Sequence, residues 1–325
     1  MSLAQARIVF LDAATYGDVS LGRFSEKWRC TIHQITHPGE TVPRLAGHTV
    51  AVTNKVSIDG AVLKAPEARD LKLIAVAATG TDIIDGEEAA RRGVKICNVP
   101  GYATQSVAQY TLALILELAG SAGKYIATVK AGGWQKSPVF SLLAFPTFEL
   151  TKKKLGIVGY GSIGQAVAEI ARSLGMKILV AARPNTESSI PHDRVSIKQL
   201  LREADIISLH CPLTPETRNL INQSTLALMK PTAFLINTAR GALIDETALI
   251  EALSRRQIAG AALDVISQEP PPVDHPIVSA AMELDNLIVT PHIAWSAREA
   301  RERLLHEVEE NITAYLLGRD RNLLT

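Results

Sequence analysis

The stretch Lys154-Leu155-Gly156-Ile157-Val158-Gly159-Tyr160-Gly161-Ser162-Ile163-Gly164 decides how the rest of the chain is read. An apolar run comes first, three glycines spaced G-x-G-x-x-G follow, and a helical pattern starts near Gln165. Three glycines alone are weak evidence, but between a strand and a helix they make a turn that cradles a dinucleotide pyrophosphate. Gly159 permits the tight turn, Gly161 lets the backbone approach the phosphates, and Gly164 lets helix and strand pack closely. The helix start then presents free N–H groups to the anion. A glycine-rich surface loop is the bland alternative. It is disfavoured by a second strand pattern at 176–182, where a βαβ unit would return.

Outward from that turn, short apolar runs alternate with helical patterns along the whole chain, the mark of parallel sheets covered by helices. One series lies at 7–12, 31–35, 49–53, 71–77 and 94–97; the other at 155–159, 177–181, 206–210, 233–237, 260–264 and 287–289. Only the second opens with a phosphate turn, so the expectation is two doubly wound domains rather than one large sheet. The turn-rich Asn98-Val99-Pro100-Gly101 marks the first boundary and Pro291-His292 the second. A helix is expected from about Tyr102 to Ala119, apolar around most of its circumference and therefore buried between domains or subunits. Residues 120–150 show little periodicity and read as a long irregular segment, the kind usually tied to function or assembly. Ser296-Ala297-Arg298-Glu299 reads as a capping box with Ser296 as N-cap. Leu304, Leu305, Val308, Ile312, Tyr315 and Leu316 then form one helical stripe that would pack back on the first domain.

Composition narrows the function classes. The 325 residues are 47% hydrophobic and 21% charged, an ordinary globular balance long enough for two full cores. A net charge of +1 without a basic run points away from nucleic acid and anionic membranes. No charged segment followed by a long apolar stretch opens the chain, and 112–119 is too short to span a bilayer. Cys30, Cys97 and Cys211 are scattered, without disulfide or metal-ligand spacing, which fits a reducing cytoplasm and no metal.

Chemistry concentrates in three later segments: Asn237-Thr238-Ala239-Arg240-Gly241, the 263–270 run Leu-Asp-Val-Ile-Ser-Gln-Glu-Pro, and Thr290-Pro291-His292-Ile293-Ala294-Trp295. Each begins at the C-terminal end of an expected strand, where open α/β sheets bind ligands. Arg240, Glu269 and His292 are thus delivered to one crevice. Arg240 can hold a carboxylate and polarise a ketone with its two-pronged fork. His292, protonated, can complete an alcohol, and Glu269 can orient its ring and favour the charged form. Singly, each residue could as well be a capping arginine, a solvated acid or a buried histidine.

In these segments, together with Ala77-Ala78-Thr79-Gly80-Thr81-Asp82 and the 98–108 stretch, the chain resembles the D-isomer-specific 2-hydroxyacid dehydrogenases over essentially its full length. It is most similar to the glycerate dehydrogenase and hydroxypyruvate (glyoxylate) reductase branch. The resemblance implies a Rossmann domain at 100–292 and a flavodoxin-like substrate domain built from 1–99 and 293–325. It makes Arg240, Glu269 and His292 catalytic. It gives Thr79, Gly80 and Thr81 to the substrate carboxylate through backbone N–H groups, and places Trp295 near the substrate. It assigns Gly159, Gly161, Ser162, Ile163, Gly164, Cys211, Pro212, Thr217, Thr238, Ala239 and Asp264 to the cofactor, Asp264 by contact with the nicotinamide amide. It also implies a homodimer, in which the 120–150 segment, with Trp134, could reach a neighbouring site. His33, His37 and His48 show no partner spacing and read as surface or structural residues.

One departure from the family pattern bears on the cofactor. Where NAD-specific members carry an acid at the end of the second nucleotide-domain strand, this chain has Ala182 followed by Arg183. No carboxylate remains for a ribose diol, and a guanidinium is available for a 2′-phosphate, so NADP is expected with NAD possible. The leading expectation is NADPH-dependent reduction of glyoxylate or hydroxypyruvate. A dinucleotide-sensing binding protein of the corepressor type, or a dehydrogenase for another 2-hydroxy acid, would keep the same Arg, Glu and His. Formate dehydrogenases have Gln where Glu269 stands, and phosphite dehydrogenases have Lys at Thr79, so those branches fit less well.

Overall fold

Both series of apolar runs form parallel sheets in the computed structural model, which describes residues 6–183 and 190–324. The chain divides into one compact unit made of 1–103 with 296–325 and a second made of 104–295. The sequence places its two breaks after residues 99 and 292.

In the first unit the strands are β1 (Arg7–Phe10), β2 (Arg29–Ile32), β3 (Val50–Thr53), β4 (Leu73–Val76) and β5 (Lys95–Cys97). Their order is β2-β1-β3-β4-β5, all parallel, the flavodoxin order. β3 and β4 are buried at every position, which is why they read as unbroken apolar runs. The second strand lies earlier than the sequence pattern suggests. Pairing to β1 runs from Arg7↔Arg29 to Phe10↔Ile32, so 33–35 already leave the sheet. The helix Arg298–Leu316 buries Leu304, Leu305, Val308, Ile312 and Leu316 in this unit, with Tyr315 only partly covered. The expected cap is corrected. Ala297 is the N-cap residue and no side chain caps the helix, while Ser296 offers its carbonyl to Arg301 Nε at 2.9 Å.

The second unit holds β6 (Lys154–Val158), β7 (Lys177–Val180), β8 (Ile206–Leu209), β9 (Phe234–Asn237), β10 (Gly260–Leu263) and β11 (Leu287–Val289). The order is β11-β10-β9-β8-β6-β7, again all parallel. A single parallel bridge, Ala181↔Val195, continues the sheet past β7. Counted with it, the first four segments lie in the order 3-2-1-4 of a Rossmann sheet, and the direction of winding switches beside β6. The helix Thr104–Gly120 buries Ala108, Leu112, Leu114, Ile115 and Ala119 against the helix Ser162–Ser173 and the strands behind it. Leu116 on its other side is 49% exposed.

The 120–150 segment is less irregular than its sequence suggests. It contains the helix Ala122–Lys130 and a short 3-10 turn, Trp134–Lys136. That helix buries none of its residues; it is nine residues long and set among glycines, so the short apolar side made by Tyr125, Ile126 and Val129 does not extend into a stripe. Among the described residues no single helix is long and apolar enough to cross a membrane.

Candidate active site

Because every strand of the second sheet runs the same way, the loops after β6, β8, β9, β10 and β11 emerge on one edge. The first is the glycine turn. Gly159 sits at φ 96°, a left-handed conformation, and a Cβ there would lie 2.5 Å from the Cys211 nitrogen. A Cβ on Gly164 would lie 2.2 Å from the Gly159 carbonyl oxygen, which fixes the close approach of helix to strand. Nothing stands within 4 Å of a Cβ built on Gly161, so the outer face of the turn is open to a ligand. Ser162, Ile163 and Gly164 make the first turn of the helix Ser162–Ser173.

Beside the turn lies a cavity of about 700 Å³, lined by Gly159, Gly161, Arg183, Cys211, Pro212 and Thr217 among others. These are six of the residues expected to touch the cofactor. Tyr160, Arg194 and His210 also line it and were not singled out from sequence. The Arg194 guanidinium lies 5.2 Å from the centre of the Tyr160 ring, and the Val195 bridge holds it beside the end of β7. Nothing in the sequence signals Arg194, because it follows a stretch without a pattern. The little surface His210 keeps faces this cavity. Burial pushes its ring down to about 4, and Nε2 shares a hydrogen bond with Ser208 Oγ at 2.9 Å. Burial also pushes the Cys211 thiol up to about 11, so it lines the wall as a neutral group.

After β9 the chain turns through Arg240. Asn237, fully buried, fastens this turn at both ends. Its Nδ2 donates to the Arg240 carbonyl at 2.8 Å and its Oδ1 accepts from the Ala239 nitrogen at 3.0 Å. Arg240 Nη1 donates to the Ala239 carbonyl at 2.8 Å. Thr238 is buried and shares a hydrogen bond with Thr111 Oγ1 at 3.0 Å.

After β10 comes Asp264, 1% exposed. Its Oδ1 accepts from Thr290 Oγ1 at 2.6 Å and the Ile293 nitrogen at 3.0 Å, and its Oδ2 from the Ala294 nitrogen at 2.8 Å. Burial raises its pKa, against the pull of those donors. The carboxylate thereby ties the β10 loop to the β11 loop that carries His292, a role beside the cofactor contact expected of it. His292 itself adopts φ 54°, its nitrogen donating to the Asp264 carbonyl at 2.8 Å.

The expected pair is formed. His292 Nδ1 lies 2.5 Å from Glu269 Oε2, with the two side chains 24% and 30% exposed. Glu269 Oε1 accepts from the Ile266 nitrogen at 2.9 Å, so the carboxylate is held at both oxygens. With Nδ1 engaged, Nε2 is the ring nitrogen left to meet a substrate. Trp295, three residues on, is partly exposed in the same unit.

In the first unit the 79–81 turn follows β4. Asn98 Nδ2 donates to the Thr79 carbonyl at 2.7 Å and Thr79 Oγ1 to the Val99 carbonyl at 2.9 Å, which fix its shape from below. Thr79 is exposed, and Gly80 and Thr81 are partly so. His48 Nε2 meets Thr31 Oγ1 at 2.9 Å, and His33 and His37 lie at or near the surface of this unit. Trp134 is 52% exposed, with Nε1 donating to the Phe140 carbonyl at 3.0 Å.

Comparison with known proteins agrees with this architecture. Residues 112–294 match the family model described as D-isomer specific 2-hydroxyacid dehydrogenase, NAD binding domain. The chain is 38% identical over 320 residues to a glycerate dehydrogenase of Methylorubrum extorquens, covering 98% of each. It is 42% identical over 283 residues to a glyoxylate reductase of Thermococcus litoralis, covering 86% of this chain and 83% of that one. Among solved structures, an acyclic imino acid reductase in complex with NADPH and D-Arg superposes with a TM-score of 0.84 at 30% identity, covering 98% of this chain and all of that one.

Proposed function

We infer, from the premise that the chain belongs to the D-isomer-specific 2-hydroxyacid dehydrogenases, an NADPH-preferring reductase of small 2-oxo acids, glyoxylate and hydroxypyruvate foremost. The chain is an oxidoreductase of this family that uses a nicotinamide dinucleotide. The observation that carries it is the His292–Glu269 pair, set on the same sheet edge as Arg240 and the glycine turn.

The roles follow from the chemistry. The reduced nicotinamide, when bound, supplies the hydride. Arg240 aims its fork at the carboxylate and ketone of the 2-oxo acid, drawing electron density towards the ketone oxygen. The family resemblance gives the substrate carboxylate to the backbone N–H groups of the 79–81 turn. His292 gives the proton on Nε2 to the ketone oxygen as the carbonyl carbon accepts the hydride, leaving a neutral ring and a 2-hydroxy acid. Glu269 keeps that ring oriented through Nδ1. The names of the relatives point to glyoxylate and to hydroxypyruvate, the oxo partner of glycerate.

For the cofactor, Ala182 offers no acceptor to a ribose diol, while Arg183 and Arg194 bring two guanidiniums to the same cavity. A second copy of the chain is proposed to cover the exposed Ile126, Val129, Trp134, Phe140 and Leu143. The test is a steady-state screen of glyoxylate, hydroxypyruvate, pyruvate and phenylpyruvate with NADPH and NADH. Fastest turnover of the first two with NADPH is expected. Preference for the bulkier acids would refute the substrate assignment, and equal or better use of NADH the cofactor assignment.

A further inference from the structure

Glu269 works from an exposed loop, and a loop does not hold a carboxylate at 2.5 Å from a histidine unaided. Two contacts hold this one. On one side, Gly241 packs so closely that a Cβ there would lie 1.9 Å from the Ile266 carbonyl carbon. On the other, Glu246, the first residue of the helix Glu246–Ser254, takes both hydrogen-bond donors of Ser267. Its Oε1 accepts from the Ser267 nitrogen at 2.6 Å and its Oε2 from Ser267 Oγ at 2.8 Å. The Glu246 side chain is 14% exposed, and the ring of the buried His275 stands behind it with Nε2 at 3.8 Å from Oε2. Ile266, between the two contacts, is the residue whose nitrogen binds Glu269 Oε1.

We propose that Glu246 is a positioning residue for the proton-transfer pair. Through Ser267 it sets the Ile266 peptide, the Ile266 N–H aims the Glu269 carboxylate, and Glu269 orients His292. A carboxylate gripping two donors at an anchored helix start is a stiffer support than a neutral side chain, since charge-assisted hydrogen bonds are about twice as strong as neutral ones. The same turn that presents Arg240 continues through Gly241 into this helix. One support therefore registers the carboxylate-binding and proton-donating residues against each other. The proposal rests on the reading of His292 as acid.

The test is a double-mutant cycle in the full-length enzyme, reading kcat/KM for hydroxypyruvate reduction against pH, NADPH affinity and thermal stability. Glu246→Ala should lower kcat/KM about tenfold. It should also move the alkaline fall of the profile to lower pH, as Glu269→Gln should, because His292 loses its oriented carboxylate. NADPH affinity should stay within about twofold. In a Glu269→Gln background the same change should cost less than about threefold, since the carboxylate it positions is gone. Glu246→Gln, which keeps one acceptor, should fall between and carries the test if the alanine variant does not fold. A full effect that persists in the Glu269→Gln background, or a lowered melting temperature with an unmoved pH profile, overturns the proposal. If Glu269→Gln alone leaves the profile unmoved, the His292–Glu269 reading fails instead.

Discussion

The role proposed for Arg240 depends on side-chain shape as well as charge. Its turn is fastened by Asn237 at two points, so the guanidinium leaves the sheet edge from a fixed base. Arg240→Lys keeps the charge and loses the fork. Its kcat/KM for 2-oxo acid reduction should fall at least ~100-fold, about 3 kcal/mol at the transition state. A variant within threefold of the parent would remove Arg240 from the substrate site. His210 makes a different kind of claim. With its ring held down to about 4 by burial, the unfolded chain takes up a proton near pH 6.5 that the folded chain refuses until about pH 4. Stability contributed by this group is therefore full above that window and lost as pH falls through it. Between pH 7 and pH 5 it should cost about 2 kcal/mol of unfolding free energy, measured by urea titration without cofactor. His210→Asn should lose that part of the pH dependence, and an identical dependence in the variant would contradict it. Arg240, Glu269 and His292 were legible in the sequence because each follows a strand pattern and has a residue type suited to the task. Asn237, Glu246 and Arg194 were not, because their roles depend on contacts across loops that no local pattern encodes.

At the scale of elements, the region between β7 and the Val195 bridge controls the cofactor assignment. Among the described residues all eleven strands are visible as apolar runs, yet all but β11 differ at one or both ends by one to three residues, since register with a neighbour rather than composition sets where pairing stops. The capping box at Ser296 and the unrecognised helix Ala122–Lys130 fail for related reasons. The first matched a pattern whose geometry sits one residue away, and the second is a nine-residue helix among glycines whose apolar side is too short to form a stripe. For β7 the argument is electrostatic. Ala182→Asp with Arg183→Ala would supply an acceptor for the ribose diol and remove one of two guanidiniums near a 2′-phosphate. The parent should favour NADPH over NADH by roughly tenfold or more in kcat/KM, about 1.4 kcal/mol, and the double variant should reverse it. A parent that uses NADH equally well would mean Arg183 does not meet the ribose.

Across the whole molecule, two sheets with separate cores share one chain, and both ends of that chain belong to the same unit. That division was legible because only one strand series carries a phosphate turn. Assembly is less so, although the exposed Phe140 and Leu143, at 91% and 90%, are unusual for apolar side chains of this size. Sedimentation should show a dimer, and Phe140→Glu with Leu143→Glu should dissociate it; an unchanged assembly would place the interface elsewhere. The role proposed for His292 is to supply the proton while the dinucleotide is held by other residues. It is tested most directly by single-turnover mixing of NADPH-loaded enzyme with hydroxypyruvate, following loss of the dihydronicotinamide absorbance in the parent and in His292→Ala. The parent should consume its bound NADPH in one phase, and the variant should bind NADPH within about twofold as tightly and oxidise it at least ~100-fold more slowly. Oxidation at the parent's rate in His292→Ala, or none in the parent with either hydroxypyruvate or glyoxylate, would contradict it.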